Sequence, residues 1–278
     1  MTTHPQLDPA VLRAAEESQV AAVSERLPLH KVEDLGADGV PVRVYTPSPD
    51  ADEALVYFHG GAFFLGSLET HDHVARALAK ETGRQVISAG YRRAPEAAFP
   101  AGLQDCYAVV RWAARDGRRV AIAGDSSGGN FAAAVAAMAH DDGFDRISHQ
   151  ILYYPSLDLD FDDDRYASLR ENAVGHGLET AALRPFNAFY LNSGADPADP
   201  LVSPIKRADL TGLPPALIVT AEHDPLRDEG ELYGRRLREA GVAVTVSRYA
   251  GAGHGFVQHS SANPGHHRVF GESAEFLR

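Results

Sequence analysis

The chain has 278 residues, of which 44% are apolar and 23% charged, with a formal net charge of −12. These values indicate a globular protein with a large core, and the negative charge argues against nucleic acid and anionic membranes as partners. The one cysteine, Cys106, excludes an intrachain disulfide, and the N-terminal residues show no signal-peptide pattern, so we expect a cytoplasmic protein.

The predicted elements begin with an amphipathic helix over residues 8–27 and a hairpin around the turn GADG. From residue 54 onwards, continuous apolar runs alternate with helical stretches. Strands are predicted at 54–60, 84–92, 118–126, 149–155, 214–224 and 242–251, and helices at 70–83, 101–117, 127–141, 228–241 and 266–278. Such strands are typical of a parallel sheet covered by helices on both faces, so the sequence predicts an α/β protein.

The alternation stops between residues 156 and 214. This stretch contains an acidic run, one helical stretch (ETAALRPFNAFYLN) and the proline-rich GADPADPLVSP. Because it is too long for an ordinary connection, we expect an inserted cap over the sheet. The acidic run lacks the glycine and the glutamate that a calcium loop requires, so no metal site is predicted.

The stretch GDSSGG at residues 124–129 contains two candidate nucleophiles. As a G-x-S-x-G motif between a strand and a helix, it places Ser126 at the centre of a sharp, strained turn. Centring the motif on Ser127 would put Asp125 where the first glycine belongs. A turn without chemistry is the alternative, while the similar GDSGG of trypsin-like proteases belongs to all-β chains. We therefore predict Ser126 as the nucleophile and the Ser127 N–H, at the helix start, as an oxyanion donor.

The acid and the base should follow the serine, because serine hydrolases of this architecture have the order serine, acid, histidine. Asp224 lies just after the strand ALIVTAEH, at the carboxyl end where α/β folds place their sites. Glu222 and Asp228 are weaker candidates. His254 lies in YAGAGHGF, a glycine-rich loop after the last strand. We predict that Asp224 fixes the imidazole tautomer and that His254 accepts the Ser126 proton.

A third motif, YFHGGAFFLGS at residues 57–67, follows a strand and offers consecutive backbone N–H groups from small residues. Together with Ser127, these groups can surround the oxyanion of a tetrahedral intermediate. His59 precedes the serine in the chain, so we expect it to brace this loop rather than to act as a base.

Five blocks, HGGAFFLGS, YRRAPEAAFPAGLQDCY, GDSSGG, DPLRDEG and GHGF, resemble in this order the hormone-sensitive lipase family of α/β-hydrolases, in its bacterial carboxylesterase branch. The resemblance covers about residues 40–278. It implies an α/β-hydrolase fold with a mostly parallel eight-stranded sheet, helices on both faces and a helical cap. The core would comprise residues 31–155 and 215–278, and the cap residues 1–30 and 156–214.

The resemblance also implies functional residues. The triad would be Ser126, Asp224 and His254, and the oxyanion donors would be Gly61, Ala62 and Ser127. Neither a metal nor a cofactor is implied. The implied reaction is hydrolysis of short-chain carboxylic esters through an acyl-enzyme, with a small-molecule ester as the partner.

The sequence departs from the family pattern at three positions. Ala62 replaces the third glycine of the H-G-G-G loop, which adds a methyl group and makes a positive φ costly. Gly90 and Arg93 replace the aspartate and the leucine of D-Y-R-L-A-P-E. The segment before His59 is also shorter than the family norm, which leads to the hypothesis of a more open acyl pocket.

Candidate pocket residues lie beside the oxyanion motif and on one face of the helix predicted in the cap. They are Phe63, Phe64, Leu65, Phe186, Phe189 and Tyr190. An aromatic stripe of this kind is at least as often plain core. An amidase or arylformamidase with the same triad is an alternative function. A second is a non-catalytic relative that binds a small molecule, which the presence of His254 argues against. Relatives commonly pair through an edge strand, so a homodimer is a further expectation.

Overall fold

A computed structural model describes residues 7–20, 26–160, 162, 164–258 and 264–278. Within these ranges the chain forms eight strands, eight α-helices and two short 3₁₀ helices. The strands are β1 Lys31–Ala37, β2 Val40–Thr46, β3 Ala54–Phe58, β4 Gln85–Ala89, β5 Val120–Asp125, β6 Ile147–Tyr153, β7 Ala216–His223 and β8 Val244–Gly253. The α-helices are α1 Pro9–Val20, α2 Asp72–Thr82, α3 Ala101–Ala113, α4 Ser127–Asp141, α5 Ala167–Glu171, α6 Thr180–Tyr190, α7 Arg227–Glu239 and α8 Pro264–Phe276.

All eight strands belong to one sheet, in the order β1-β2-β4-β3-β5-β6-β7-β8. β2 runs antiparallel to both of its neighbours, β1 and β4, and all the other pairs are parallel. β3 and β5 lie in the middle and are buried along their whole length, as their continuous apolar sequences predicted. The predicted eight-stranded, mostly parallel sheet is therefore confirmed.

Helices cover both faces of this sheet. Successive side chains of a strand point to opposite faces, and in the central strands the side chains on both faces are apolar and need to be buried. In β3, Val56 packs in the core beneath α3, α4 and α7, whereas Leu55 and Tyr57 pack in the core beneath α2 and α8. Cys106 is buried within α3, as expected for a small apolar side chain.

The segment between β6 and β7 carries α5, α6 and both 3₁₀ helices instead of a single connection. α1 corresponds to the predicted helix over 8–27, although residues 21–25 of that prediction lie outside the described residues. The hypothesis of a more open pocket concerns the segment before His59, which includes these residues, so it stays a prediction. In the part of the chain that the structure describes, no helix has the length and the apolar content needed to cross a membrane.

The turn between β5 and α4 depends on two glycines. A Cβ atom at Gly124 would collide with the carbonyl group of Gly128, and one at Gly128 would collide with the carbonyl oxygen of Phe58 at the end of β3. Because these neighbours are backbone atoms, they cannot move aside as a side chain can. The absence of side chains at both positions therefore lets the start of α4 pack directly on β3 and β5.

Gly128→Ala should lower the free energy of unfolding by about 2–3 kcal/mol, because the new methyl group overpacks a rigid backbone contact. The matched substitution Gly271→Ala, in α8, introduces a Cβ atom with no neighbour within 4 Å. It should stabilise the protein by about 0.5–1 kcal/mol through helix propensity. Urea unfolding curves of both variants test this pair, and equal midpoints would contradict it.

Glu229, on α7, is buried and holds the start of the segment between β6 and β7. Its carboxyl group accepts a hydrogen bond from the backbone N–H of Leu157 at 2.6 Å, just after β6. Burial raises the pKa of Glu229 well above its usual range, and the neighbouring carboxylate of Asp158 adds to this effect. Glu229 therefore retains its proton in the folded protein at a pH where the unfolded chain has lost it.

Such a group makes stability depend on pH. Above the unfolded pKa of about 4.3, the folded state binds one more proton than the unfolded state, so the free energy of unfolding falls as pH rises. The slope from this group is at most about 1.4 kcal/mol per pH unit. Glu229→Gln keeps an acceptor for Leu157 without the titration. The variant should therefore gain stability relative to the wild type between pH 5 and pH 8. A difference that is constant over this range in urea unfolding would contradict the prediction.

Candidate active site

Ser126 lies between the end of β5 and the first residue of α4, with φ 54° and ψ −118°. A positive φ is uncommon for serine and marks local strain. Neighbouring backbone holds it in place: the Ser126 N–H donates to the Tyr153 carbonyl at 2.9 Å, and its carbonyl accepts from Asn130 and Ser156 at 3.2 and 3.1 Å. The turn thus lifts the Ser126 side chain out of the carboxyl edge of the sheet.

The side chains predicted as nucleophile, base and acid form one chain of contacts. His254 Nε2 lies 3.0 Å from Ser126 Oγ, and His254 Nδ1 lies 2.8 Å from Asp224 Oδ2. Asp224 is fully buried and also accepts the Leu226 N–H at 2.8 Å, while His254 is 13% exposed. With its proton on Nδ1, the imidazole presents an Nε2 lone pair to the serine hydroxyl. This geometry suits general-base activation of a serine.

The two weaker acid candidates have other partners. Glu222 accepts the backbone N–H of Gly251 at 2.7 Å. Asp228 accepts the N–H of Ser168 at 2.9 Å and pairs with Arg227 at 2.8 Å. Among the contacts of the described residues, neither carboxylate meets His254, so Asp224 alone has the position of the predicted acid.

The loop of residues 60–66, called here the oxyanion loop, lies beside Ser126. Gly61, Ala62 and Ser127 line the same cleft as Ser126 and His254. In the described part of the chain, no hydrogen-bond acceptor pairs with the N–H groups of these three residues. Unpaired donors next to the nucleophile are what an oxyanion requires. Ala62 has φ 49°, so the alanine does adopt the costly left-handed conformation anticipated from the sequence.

A buried carboxylate that the sequence analysis did not single out lies beneath the nucleophile. Asp125 accepts hydrogen bonds from the Tyr57 hydroxyl at 2.5 Å, the Gly60 N–H at 2.8 Å and Gln258 Nε2 at 3.0 Å. His71 Nε2 lies 3.6 Å away. Burial by itself would raise the pKa of Asp125, but His71 and the donated hydrogen bonds outweigh it and lower the pKa. A charged residue at the end of an otherwise apolar strand was the signal available in the sequence.

His59 braces the oxyanion loop, in line with the role expected for it. It is buried, its ring stacks on Tyr91 with centroids 4.2 Å apart, and its carbonyl accepts the Tyr91 hydroxyl at 2.8 Å. Its Nδ1 lies 2.8 Å from the Gly60 carbonyl oxygen. Burial lowers the pKa of His59 to about 3, so the imidazole is neutral at pH 7.

A cleft of about 300 Å³ opens above Ser126. Three of the six predicted pocket residues line it: Phe63, Leu65 and Phe186. Its wall also contains residues that the sequence analysis did not identify. They come from α1, from the segment between β6 and β7 and from the loop after β7, and include Glu16, Leu178, Leu183, Asn187 and Leu226.

The other three residues predicted for the pocket, Phe64, Phe189 and Tyr190, do not line this cleft. Tyr190 is buried and its ring stacks on the inner side of Phe63, with centroids 3.9 Å apart. Phe64 is fully buried and packs against Phe189 at 4.8 Å. Phe64 and Tyr190 thus belong to the core, which is the alternative that an aromatic stripe allows, while Phe189 is half-buried against it.

No group of three or more His, Cys, Asp or Glu side chains in the described residues is arranged to hold a metal ion.

Comparison with known proteins places this chain in a family. The model of a protein family with the description alpha/beta hydrolase fold matches residues 55–258 of this chain. Carboxylesterase NlhH of Mycobacterium tuberculosis is 40% identical over 264 residues, which cover 88% of this chain and 82% of the relative. An ethyl acetate hydrolase of Pseudomonas putida is 36% identical over 80% of this chain and 73% of its own length. The esterase of Pyrobaculum calidifontis superposes with a TM-score of 0.90 at 39% identity, covering 97% of this chain and 92% of that structure. The chain belongs to the hormone-sensitive lipase family of α/β-hydrolases.

Proposed function

We propose that this carboxylic ester hydrolase cleaves short-chain esters through an acyl-enzyme formed on Ser126, with His254 as the base and Asp224 as the acid of its triad. One observation carries the proposal: the continuous contacts of 3.0 Å from Ser126 Oγ to His254 and 2.8 Å from His254 to Asp224. They lie beside backbone donors that have no acceptor among the described residues.

In the first step the Ser126 oxygen attacks the ester carbonyl carbon while His254 Nε2 takes the hydroxyl proton. The carbonyl oxygen becomes an oxyanion, which accepts hydrogen bonds from the N–H groups of Gly61, Ala62 and Ser127. Each such donor is worth about 2.7–4 kcal/mol in comparable sites. The tetrahedral intermediate then expels the alcohol, which receives its proton from the imidazolium. Water deacylates the enzyme by the same route, with His254 again as the base.

The size and the lining of the cleft support a small ester as substrate. Its volume of about 300 Å³ is at the lower end for ligand pockets. Phe63, Leu65 and Phe186 supply apolar surface for an acyl chain of a few carbons. A relative that hydrolyses ethyl acetate, as its name says, supports the same substrate class.

We further propose that residues 31–155 and 215–278 are the catalytic core, with residues 1–30 and 156–214 as a cap. In support of this division, α1 contributes Glu16 and the inserted segment contributes Leu183 and Phe186 to the cleft wall. A cytoplasmic location and a homodimer remain predictions from the sequence. Cell fractionation and analytical ultracentrifugation would test them.

Ser126→Ala should lower kcat on p-nitrophenyl butyrate by on the order of a million-fold, because the nucleophile of a triad is lost. Ser127→Ala is the matched control at the adjacent serine. It should keep most of the activity, because Ser127 acts through its backbone N–H. The wild-type enzyme should hydrolyse p-nitrophenyl acetate and p-nitrophenyl butyrate faster than p-nitrophenyl octanoate. An active Ser126→Ala variant would refute the assigned nucleophile.

The amidase alternative is distinguished from the esterase by comparing substrates that differ in their leaving group. We expect kcat/KM for p-nitrophenyl butyrate to exceed that for butyryl-p-nitroanilide and for formanilide by at least about a thousand-fold, since an amine leaves far less readily than a phenolate. Parallel assays of the three compounds measure this ratio. Faster turnover of formanilide would favour the arylformamidase, and binding of all three without turnover would favour the non-catalytic relative.

A further inference from the structure

The oxyanion loop contains three successive residues with positive φ, Gly61 at 120°, Ala62 at 49° and Phe63 at 67°. Only the first of them is a glycine. Alanine and phenylalanine are disfavoured in the left-handed region, and such conformations persist only where the surrounding structure holds them. The loop itself supplies two bonds, from the N–H groups of Phe64 and Leu65 to the Gly61 carbonyl at 3.0 and 2.7 Å.

An arginine of α1 holds the outer side of this loop. Arg13 Nε donates to the Phe64 carbonyl at 2.7 Å, and its Nη2 donates to the Ala94 carbonyl at 2.6 Å. The guanidinium also pairs with both oxygens of Glu96 at 2.8 Å. Ala94 in turn donates its N–H to the Phe63 carbonyl at 3.0 Å. Arg13 thus fastens the strained loop to the segment that follows β4.

The end of the loop is held on both sides of Gly66. Glu16, one turn after Arg13 on α1, accepts the Gly66 N–H at 2.9 Å, and Arg93 Nη1 donates to the Gly66 carbonyl at 2.5 Å. A Cβ atom at Gly66 would collide with the Gly60 carbonyl and the His59 ring. Fixing Gly66 therefore also fixes the start of the loop that lies against it.

We propose that Arg13, Glu16 and Arg93 are positioning residues that form a polar clamp, and that this clamp holds the oxyanion loop in its catalytic conformation against the strain at Ala62 and Phe63. The proposal rests on the proposed function for its catalytic consequence. It also links two departures from the family pattern: Ala62 introduces strain where glycine would not, and Arg93 supplies a hydrogen bond that leucine cannot make. The clamp makes docking of α1 a condition for an assembled oxyanion hole.

A double-mutant cycle tests the link. Arg93→Leu should lower kcat on p-nitrophenyl butyrate about tenfold with KM changed by less than about twofold, because a displaced oxyanion hole weakens transition-state binding only. In the Ala62→Gly background the same substitution should cost less than about threefold, since a relaxed loop needs less restraint. Equal penalties in the two backgrounds would overturn the compensation between Arg93 and Ala62.

Hydrogen exchange provides a readout that does not depend on activity. Arg13→Ala and Arg93→Leu should speed exchange at the amides of Phe64 and Leu65 by at least about tenfold, because these amides are protected only while the loop is closed on Gly61. Unchanged exchange in both variants would overturn the clamp. If the wild type hydrolyses no ester, the proposed function fails, while the exchange experiment still decides whether the clamp exists.

Conservative and distant substitutions complete the experiment. Arg13→Lys, which cannot donate to both carbonyl groups from one planar group, should show the same effects if Arg13→Ala does not fold. Glu16→Gln keeps an acceptor for Gly66 and should lower kcat less than Glu16→Ala does. Arg207→Ala is the matched control: Arg207 also pairs with a carboxylate through two nitrogens, that of Asp141. Asp141 lies roughly 20 Å from Ser126 along α4. Arg207→Ala should leave kcat and loop exchange unchanged, and a loss equal to that of Arg13→Ala would overturn the clamp.

Discussion

Two segments from distant parts of the chain, residues 57–60 and the region of Gln258, donate hydrogen bonds to one buried carboxylate, that of Asp125. Tyr57 belongs to β3, Gly60 begins the oxyanion loop, and Gln258 follows the loop that carries His254. Asp125 itself precedes Ser126. One fully buried charge therefore sets the relative positions of the nucleophile, the oxyanion donors and the histidine loop. Removing one of these donors would leave a buried charged group with an unmade hydrogen bond, which is costly in a protein interior.

Backbone strain is concentrated around the same centre. Ser126, Ala62 and Phe63 all have a positive φ without being glycine, and all three line the cleft. Strain of this kind is tolerated where dense packing leaves no alternative, and here Gly124 and Gly128 bring backbone into direct contact with backbone. The packing of the central sheet thus holds these three residues in backbone conformations that an isolated loop would not keep.

Local signals made much of this arrangement predictable. Alternating apolar strands and helices indicated the sheet, and the positions of Asp224 and His254 after successive strands placed them at its carboxyl edge. Contacts between distant parts of the chain were not predictable, because no local pattern encodes them. The bond from Arg13 to Ala94 spans 81 positions, for instance, and the helical period that grouped Tyr190 with Phe186 cannot distinguish a pocket wall from the layer behind it.

The sheet order has a consequence for when the chain becomes reactive. Ser126 lies in the middle of the sheet, whereas His254 follows β8, an edge strand that comes later in the chain. A serine without its base is a weak nucleophile. The Ser126 hydroxyl is therefore reactive only when the loop after β8 brings His254 to it. Esterase activity consequently requires β8 and the loop after it to be in place, and not only the turn that carries Ser126.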